Sequence, residues 1–318
     1  MKIAAIVQSK NECDVIESFV RHNSKFIDDF YFIDHSTDNT KQILSLLSNE
    51  GFAIYQINAD GRDYNEVSVN TGAAQLINKD KKYEFIFFLD ADEIIYCKDK
   101  QIFLESINKG TANPVGTFRP QDFPPNGKPY FSSLNPLKDC FAIQPANEWG
   151  RKIFIRGDFS DNVLIGAGKH EAFKLDLTKY EPYDSEIILG NFPYRSPEQF
   201  ISRVVTNYAR IIASHQLGTA EGSHVKEQFK NLVENDFYGE GDILNFAYLF
   251  YKNENLEMTK LLYLEDVKCK YHSLAKRNAV KEIAVDFERM AKLLRTFRMA
   301  TKDVIQHVEE LSKIKSLL

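Results

Sequence analysis

The stretch that most constrains what this chain can fold into is Phe85–Ile95, FIFFLDADEII. Phe85 to Leu89 are consecutive large apolar residues with no helical period, which predicts a strand buried on both faces of a parallel α/β sheet. The run then breaks into Asp90, Ala91, Asp92 and Glu93. Three carboxylates at the end of a buried strand are costly unless positive charge sits beside them. A divalent cation is the economical answer, because magnesium or manganese takes oxygen ligands at roughly 2.0–2.2 Å and keeps positions open for substrate phosphates. In open α/β sheets ligands bind beyond the carboxyl ends of the strands, where this triplet falls. The alternative is a surface turn with solvated acids, since Asp-x-Asp is short and common.

The segments leading up to it repeat one pattern. Ile3–Val7 predicts a strand followed by the polar turn Gln8 to Glu12. A helix over Asp14–Ser24 places Val15, Phe19, Val20 and Asn23 at helical spacing. Phe30–Ile33 predicts a second strand, ending in Asp34-His35-Ser36-Thr37-Asp38-Asn39-Thr40. A helix with Ile43, Leu44, Leu46 and Leu47 follows and stops at Gly51. Phe52–Ile57 is a third strand, Asp60 to Asp63 a loop, and Glu66–Asn78 a helix that delivers the chain to Phe85. Alternating strands and helices are the signature of a doubly wound, mostly parallel α/β sheet. Right-handed crossovers put the ends after Val7, Ile33, Ile57 and Leu89 on one edge, and polar clusters follow all four.

From Gly116 to about Tyr183 strand-like pieces (Thr117–Arg119, Lys152–Arg156, Val163–Ile165) alternate with loops such as Phe123 to Pro129. These form the second, mixed half of the sheet, with an acceptor surface as the natural use of its loops. Beyond Tyr194 the chain turns helical. Ser196-Pro197-Glu198-Gln199 is a helix start, with Phe200, Val204, Tyr208 and Ile211 on one face. Further helices are expected over Val225–Glu234 and Leu256–Val267. The division expected is 1–190 for nucleotide binding and catalysis and 191–318 for a helical C-terminal extension. Its last helix, Asn278–Leu318, carries apolar residues at alternating spacings of three and four, the period of a coiled-coil seam. It packs along the protein's own body, joins two copies into a homo-oligomer, or offers a basic face to an anionic membrane.

Composition excludes some classes. A net charge of −5 argues against a nucleic-acid binder, whose footprint is basic. Cys13, Cys97, Cys140 and Cys269 are scattered, giving neither a disulfide framework nor a zinc site and fitting a reducing cytoplasm. The apolar run at the N-terminus is too short for a signal peptide, and no window approaches the length of a membrane span. The location expected is cytoplasmic, with the last helix a candidate for peripheral contact at the inner face of a membrane.

Three constellations carry chemistry besides the acidic triplet. Asp34 directly follows a strand, so its carboxylate faces the cleft and can accept from the N–H of a nucleotide base; Ser36 and Asp38 more simply cap the next helix. Gly166-Ala167-Gly168-Lys169-His170-Glu171 lets the backbone come close to another group and presents the His170 imidazole, which with Asp92 makes a mixed oxygen and nitrogen site suited to manganese. A lone histidine is more often structural. Trp149-Gly150-Arg151-Lys152 supplies cations for a diphosphate, or forms a solvated strand edge.

Lys10-Asn11-Glu12, then Phe32 to Thr40, then Leu89-Asp90-Ala91-Asp92-Glu93 resemble the ordered motifs of family 2 glycosyltransferases, whose GT-A fold joins a nucleotide-binding sheet to an acceptor-binding half. Gly168-Lys169-His170 and Phe192-Pro193-Tyr194-Arg195-Ser196-Pro197-Glu198-Gln199-Phe200 resemble a bacterial subgroup that builds surface polysaccharides. There a histidine often precedes the Phe-Pro-Tyr-Arg-Ser run; Asn191 stands here. The resemblance spans residues 1 to about 235. It implies an inverting, metal-dependent transferase taking a nucleotide-sugar donor, UDP-linked by default, and a glycan or lipid-linked acceptor. By the same resemblance Gln8 and Asp34 line the base pocket, Asp90 meets the ribose or metal, Asp92 holds Mn2+ or Mg2+, and His170 is a further ligand. Lys152 serves the diphosphate. The chemistry needs a carboxylate base near the acceptor hydroxyl. Asp122, on the loop after Thr117–Arg119, is the candidate, with Glu148 and Glu171 competing. A catalytically silent nucleotide-sugar-binding scaffold is the alternative. A nucleotidyltransferase would show a glycine-rich loop after the first strand, and Gln8–Glu12 has no glycine.

Overall fold

The computed structural model describes residues 1–57, 66–110, 113–123, 141–143, 150–193, 195–213, 226, 229–230, 232, 257–259 and 267–288. The expected loops at Asp60–Asp63 and 124–129, Glu148, Trp149 and most of the last three expected helices lie outside them. The strands are β1 Ile3–Ser9, β2 Asp29–Asp34, β3 Ile54–Ile57, β4 Phe85–Asp90, β5 Glu93–Tyr96, β6 Val115–Asp122, β7 Phe141–Ile143, β8 Lys152–Arg156, β9 Val163–Ile165, β10 Ala172–Lys174, β11 Tyr183–Asn191 and β12 Glu257–Thr259. The helices are α1 Ile16–Asn23, α2 Thr40–Asn49, α3 Glu66–Ile77, α4 Lys100–Ile107 and α5 Pro197–Ala213.

Eight strands form one mixed sheet in the order β3-β2-β1-β4-β8-β6-β11-β5. Strands β3, β2, β1 and β4 run parallel, β8 is inserted antiparallel between β4 and β6, β11 is parallel to β6, and β5 closes the far edge antiparallel. The run Phe85–Leu89 is buried along its whole length, as a strand covered on both faces requires. Alternate residues feed two apolar layers. Phe85, Phe87 and Leu89 meet Phe19 and Val20 of α1, Leu44 and Leu47 of α2 and Phe103 of α4. Ile86 and Phe88 meet Ala73 and Ala74 of α3 together with Ile153 and Ile155 of β8.

Sequence periodicity missed β5, α4 and β11. β11 reads Tyr-Asp-Ser-Glu-Ile-Ile-Leu-Gly-Asn, too polar at its start to announce a central strand. Ser185, fully buried, is satisfied by the Thr117 carbonyl at 2.7 Å. α4 starts at Asp99, whose carboxylate accepts from the Ile102 N–H at 2.9 Å, an N-cap that offsets one unpaired helix donor.

By chain contacts, residues 1–197 and 239–277 form one compact unit and residues 198–238 and 278–318 a second. In the second, Phe200 and Val204 of α5 are buried and Ser202 donates to Glu282 at 2.7 Å, on a helical stretch at 279–288. In the first, residues 267–277 return across α1. The Lys270 and Tyr271 amides donate to Glu17, and the Asn39 amide group donates to the Leu274 carbonyl. No helix among the described residues is long and apolar enough to cross a membrane.

Candidate functional site

The carboxyl ends of β1, β2, β4, β6 and β11 share one sheet edge with the starts of the antiparallel β5 and β8. In register, Ser9 lies opposite Asp34, Gln8 opposite Asp90, Asp122 opposite Asn191, and Asn191 opposite Glu93, while Lys152 lies opposite Phe118. The topology therefore gathers Gln8, Asp34, Asp90, Lys152 and Asp122 along one rim of the sheet.

At the β2 end, one oxygen of Asp34 accepts from the Ser9 and Ser36 hydroxyls, each at 2.6 Å. The other, Oδ2, is buried with no hydrogen-bond partner. Burial pushes the Asp34 carboxyl above its ordinary range, opposed by the Ser36 and Ser9 hydrogen bonds. A buried acceptor left open costs about 1–3 kcal/mol. Ser36 therefore serves Asp34 and accepts from the Asn11 N–H at 2.7 Å, instead of capping α2. Asp38 accepts from the Thr40 N–H at 2.9 Å and the Cys13 N–H at 3.1 Å, tying the first two loops together.

A polar chain runs across the ends of β1, β4 and β8. Gln8 donates to Asn70 of α3 at 3.0 Å and accepts from the Lys169 ammonium at 3.3 Å. Lys169 bonds one oxygen of Asp90, and Lys152 bonds the other at 2.6 Å. Lys152 also reaches Glu93 at 3.4 Å, and Glu93 accepts from the Asp90 N–H at 2.8 Å. Burial alone would raise the Asp90 pKa, but Lys152 and Lys169 together hold it well below the carboxylate range. The Asn70 amide nitrogen is fully buried and has no partner, a second open polar group on this rim.

Asp92 joins a different cluster. Arg195 is 1% exposed and donates to both oxygens of Asp14, at 2.9 and 3.1 Å, to Glu12, and to the Phe192 carbonyl at 2.8 Å; its Nη1 lies 3.6 Å from Asp92 Oδ2. Arg277 approaches Asp14 at 3.4 Å. Burial drives Glu12 up to about 8 despite Arg195, with Asp92 and Asp14 adding to the rise. Asp122 is half-buried and accepts from the Asn191 side-chain amide at 2.8 Å.

His170 is exposed at the border of the first cluster, within charge range of Lys152, Asp90 and Lys169. Gly168 and Lys169 both take left-handed conformations, φ 67 and 61, so the turn throws Lys169 inward and leaves His170 exposed, its Nδ1 3.1 Å from the Arg151 carbonyl. Among the described residues no three His, Cys, Asp or Glu side chains are grouped to hold a metal. As it stands, this donor set does not fit a resident divalent cation: Asp90 spends both oxygens on ammonium groups, and Asp92 faces a guanidinium. The positive charge the acidic triplet demands comes from Lys152, Lys169 and Arg195. Lys169 and Arg195 stand within Gly168-Lys169-His170 and the Phe192–Phe200 run, but nothing in the sequence tells which side chain of Gly-Lys-His turns inward.

Glu93 makes the site sensitive to pH. Burial pushes its carboxyl up to about 7 from 4.5, with Lys152 opposing and Asp90 adding. A raised carboxyl favours the protonated fold, so its contribution is complete below pH 4.5 and is lost as pH rises through 7. The thermal midpoint is expected to fall between about pH 5 and pH 8, and Glu93→Gln to flatten that fall. An equal slope in the variant would exclude Glu93 as the cause.

The strand order, with its antiparallel insertion and its polar rim at the strand ends, defines a GT-A-like α/β fold. No family model matches the chain, and no curated protein matches it in sequence. Among solved structures, S. aureus TarS 1–349 is 17% identical over 78% of this chain and 72% of its own, with a TM-score of 0.37. The same TarS segment in complex with UDP is 17% identical over 74% and 72%, again at 0.37. Glucosyl-3-phosphoglycerate synthase from Mycobacterium tuberculosis, crystallised with Mn2+, UDP-glucose and phosphoglyceric acid, is 13% identical over 50% and 57%, with a TM-score of 0.29.

Proposed function

We propose that this chain transfers a sugar from a nucleotide diphosphate donor, a UDP-sugar, to a hydroxyl of a glycan or lipid-linked acceptor, with inversion at the anomeric carbon. The observation that carries the reading is Asp34 Oδ2, a buried acceptor at a strand's carboxyl end that the protein leaves without a donor. The imide N–H of a uracil base is a donor of the right kind, and a base lying beside Gln8 would also meet the unpaired Asn70 amide. The ordered likeness of the three loops to family 2 glycosyltransferases supports the same assignment.

In this reading the base sits against Asp34, and the diphosphate lies over the β4 and β8 ends near Lys152. The acceptor hydroxyl attacks the anomeric carbon from the face opposite the diphosphate. Its proton passes to Asp122, the new carbon–oxygen bond forms, and the diphosphate leaves with the electron pair of the bond that breaks. Asn191 holds Asp122 in place through the amide hydrogen bond described above.

Calorimetric titration with UDP, GDP, ADP and dTDP tests the pocket. One base is expected to bind selectively, and Asp34→Ala to weaken it ~10- to 100-fold, the worth of one hydrogen bond to a charged group. Binding of no nucleotide, or equal binding by the variant, would sink the donor reading. A catalytically silent nucleotide-sugar binder would show the same affinity but release no nucleoside diphosphate from any donor.

A further inference from the structure

The Lys169 turn is built at a cost. Left-handed conformation costs a non-glycine residue about 1–2 kcal/mol, and Lys169 adopts it at φ 61 directly after Gly168 at φ 67. At φ 67 any residue but glycine would be strained at position 168, and its Cβ would lie 2.5 Å from the His170 ring. The result is an ammonium 1% exposed, bonded to Asp90 and to Gln8 at 3.3 Å, with Glu66 at 3.9 Å. Glu66 also accepts from the Gly168 N–H at 3.1 Å, which fastens the turn to α3. A strained backbone holding a buried charge at a strand end marks a functional position.

Lys152 arrives from the opposite side. Its side chain is 9% exposed and its ammonium bonds Asp90 at 2.6 Å. It carries three donors; Asp90 takes one, Glu93 is an ion-pair partner at 3.4 Å, and no further protein acceptor for it stands among the described residues. Asp90, Glu93 and Glu66 balance the two ammonium groups, so what resists a divalent ion here is that both Asp90 oxygens are already engaged. An incoming divalent ion would also have to strip a buried lysine of its counter-charge, which is strongly unfavourable. An anion with several oxygens displaces no ligand from Asp90 and can accept from the Lys152 N–H left open.

We propose that Lys152 and Lys169, braced by Asp90, form a built-in dication that grips the donor's diphosphate and takes up its charge as it departs, so that transfer by this chain needs no divalent metal. The proposal rests on the donor reading above. Lysine binds phosphate as a point charge, and fixed charge aimed at a leaving group in a dry site lowers the barrier without reorganisation. No proton moves at the lysines: the diphosphate leaves as an anion and the ammonium groups hydrogen-bond to it. Asp90 here is a positioning residue that holds both ammonium groups toward one point.

The test is UDP affinity and sugar-donor turnover in metal-stripped protein with EDTA, compared with added Mn2+ or Mg2+, for the wild type, Lys169→Met, Lys169→Arg and Lys152→Met. Wild-type affinity and rate are expected to agree within about twofold with and without metal. Lys169→Met is expected to weaken UDP ~10- to 100-fold while leaving uridine, which has no phosphate, unchanged; Lys169→Arg should recover part of the loss. Should Lys169→Met not fold, the Asp90→Asn, Lys169→Met pair removes both charges together and is compared with Asp90→Asn alone. UDP binding or turnover seen only with metal, or unchanged UDP affinity in the lysine variants, would overturn the dication while the donor reading stood. Absence of nucleotide binding with and without metal would overturn the donor reading, and the dication with it.

Discussion

Asp122→Asn is expected to lower sugar transfer by about 10²- to 10⁴-fold while leaving nucleotide affinity and thermal midpoint unchanged. The magnitude is that of losing a positioned general base. The substitution is nearly isosteric, and the introduced carboxamide would keep an oxygen to accept the Asn191 amide now held at 2.8 Å. What disappears is the proton acceptor. Asp122 ends β6 in register with Asn191 of β11, which is itself opposite Glu93 at the start of β5. The carboxylate thus stands on the same rim as Asp90, on the side away from Asp34. Steady-state rates with a saturating donor, set against calorimetric affinity, separate the two effects. Turnover within about threefold of wild type would place the base elsewhere. Glu171 would then be a poor substitute, since its side chain is 45% exposed and paired with Lys179.

Arg195→Met is expected to produce the largest loss of stability of any single change at the rim. Arg195 is buried between Glu12, Asp14 and Asp92 and satisfies each by hydrogen bond or close charge. Removing one partner of a buried ionic group costs about 3–5 kcal/mol, because the remaining charges stay buried. For a chain of 318 residues that is on the order of 4–8 °C in midpoint. Glu12 already rises to about 8 with Arg195 present, so the deprived acids can escape by protonation, and the loss should be smaller at about pH 6 than at about pH 8. Arg195→Lys keeps a charge but not the fork that spans Asp14 and Glu12, and should recover only part. A midpoint within about 2 °C of wild type at the higher pH would show that the cluster contributes little.

The legible part of the fold followed from repetition. Phe85–Leu89 had to be a strand covered on both faces, and Lys152–Arg156 and Val163–Ile165 coincide with β8 and β9 residue for residue. Asp29–Asp34 and Glu66–Ile77 fall within a residue or two of expectation, because apolar period and turn chemistry agree there. β11 escaped notice because its first half is polar, and its burial depends on partners far along the chain, such as the Thr117 carbonyl under Ser185. The return of residues 267–277 over α1, which brings Arg277 to Asp14, left no local trace either.

The sequence by itself determined that acids would end a buried strand, that polar loops would share its edge, and that positive charge had to answer those acids. Desolvation makes that last requirement unavoidable whatever the rest of the chain does. Only the tertiary structure decided where the charge came from. Asp90 and Asp92 are two residues apart, yet one turns to Lys152 and Lys169 and the other to Arg195. That choice rests on a left-handed turn at Gly168-Lys169 and on a strand ending at Asn191, contacts separated from the acids by tens of residues. Electrostatic need can be read locally, but its satisfaction is a property of the packed whole.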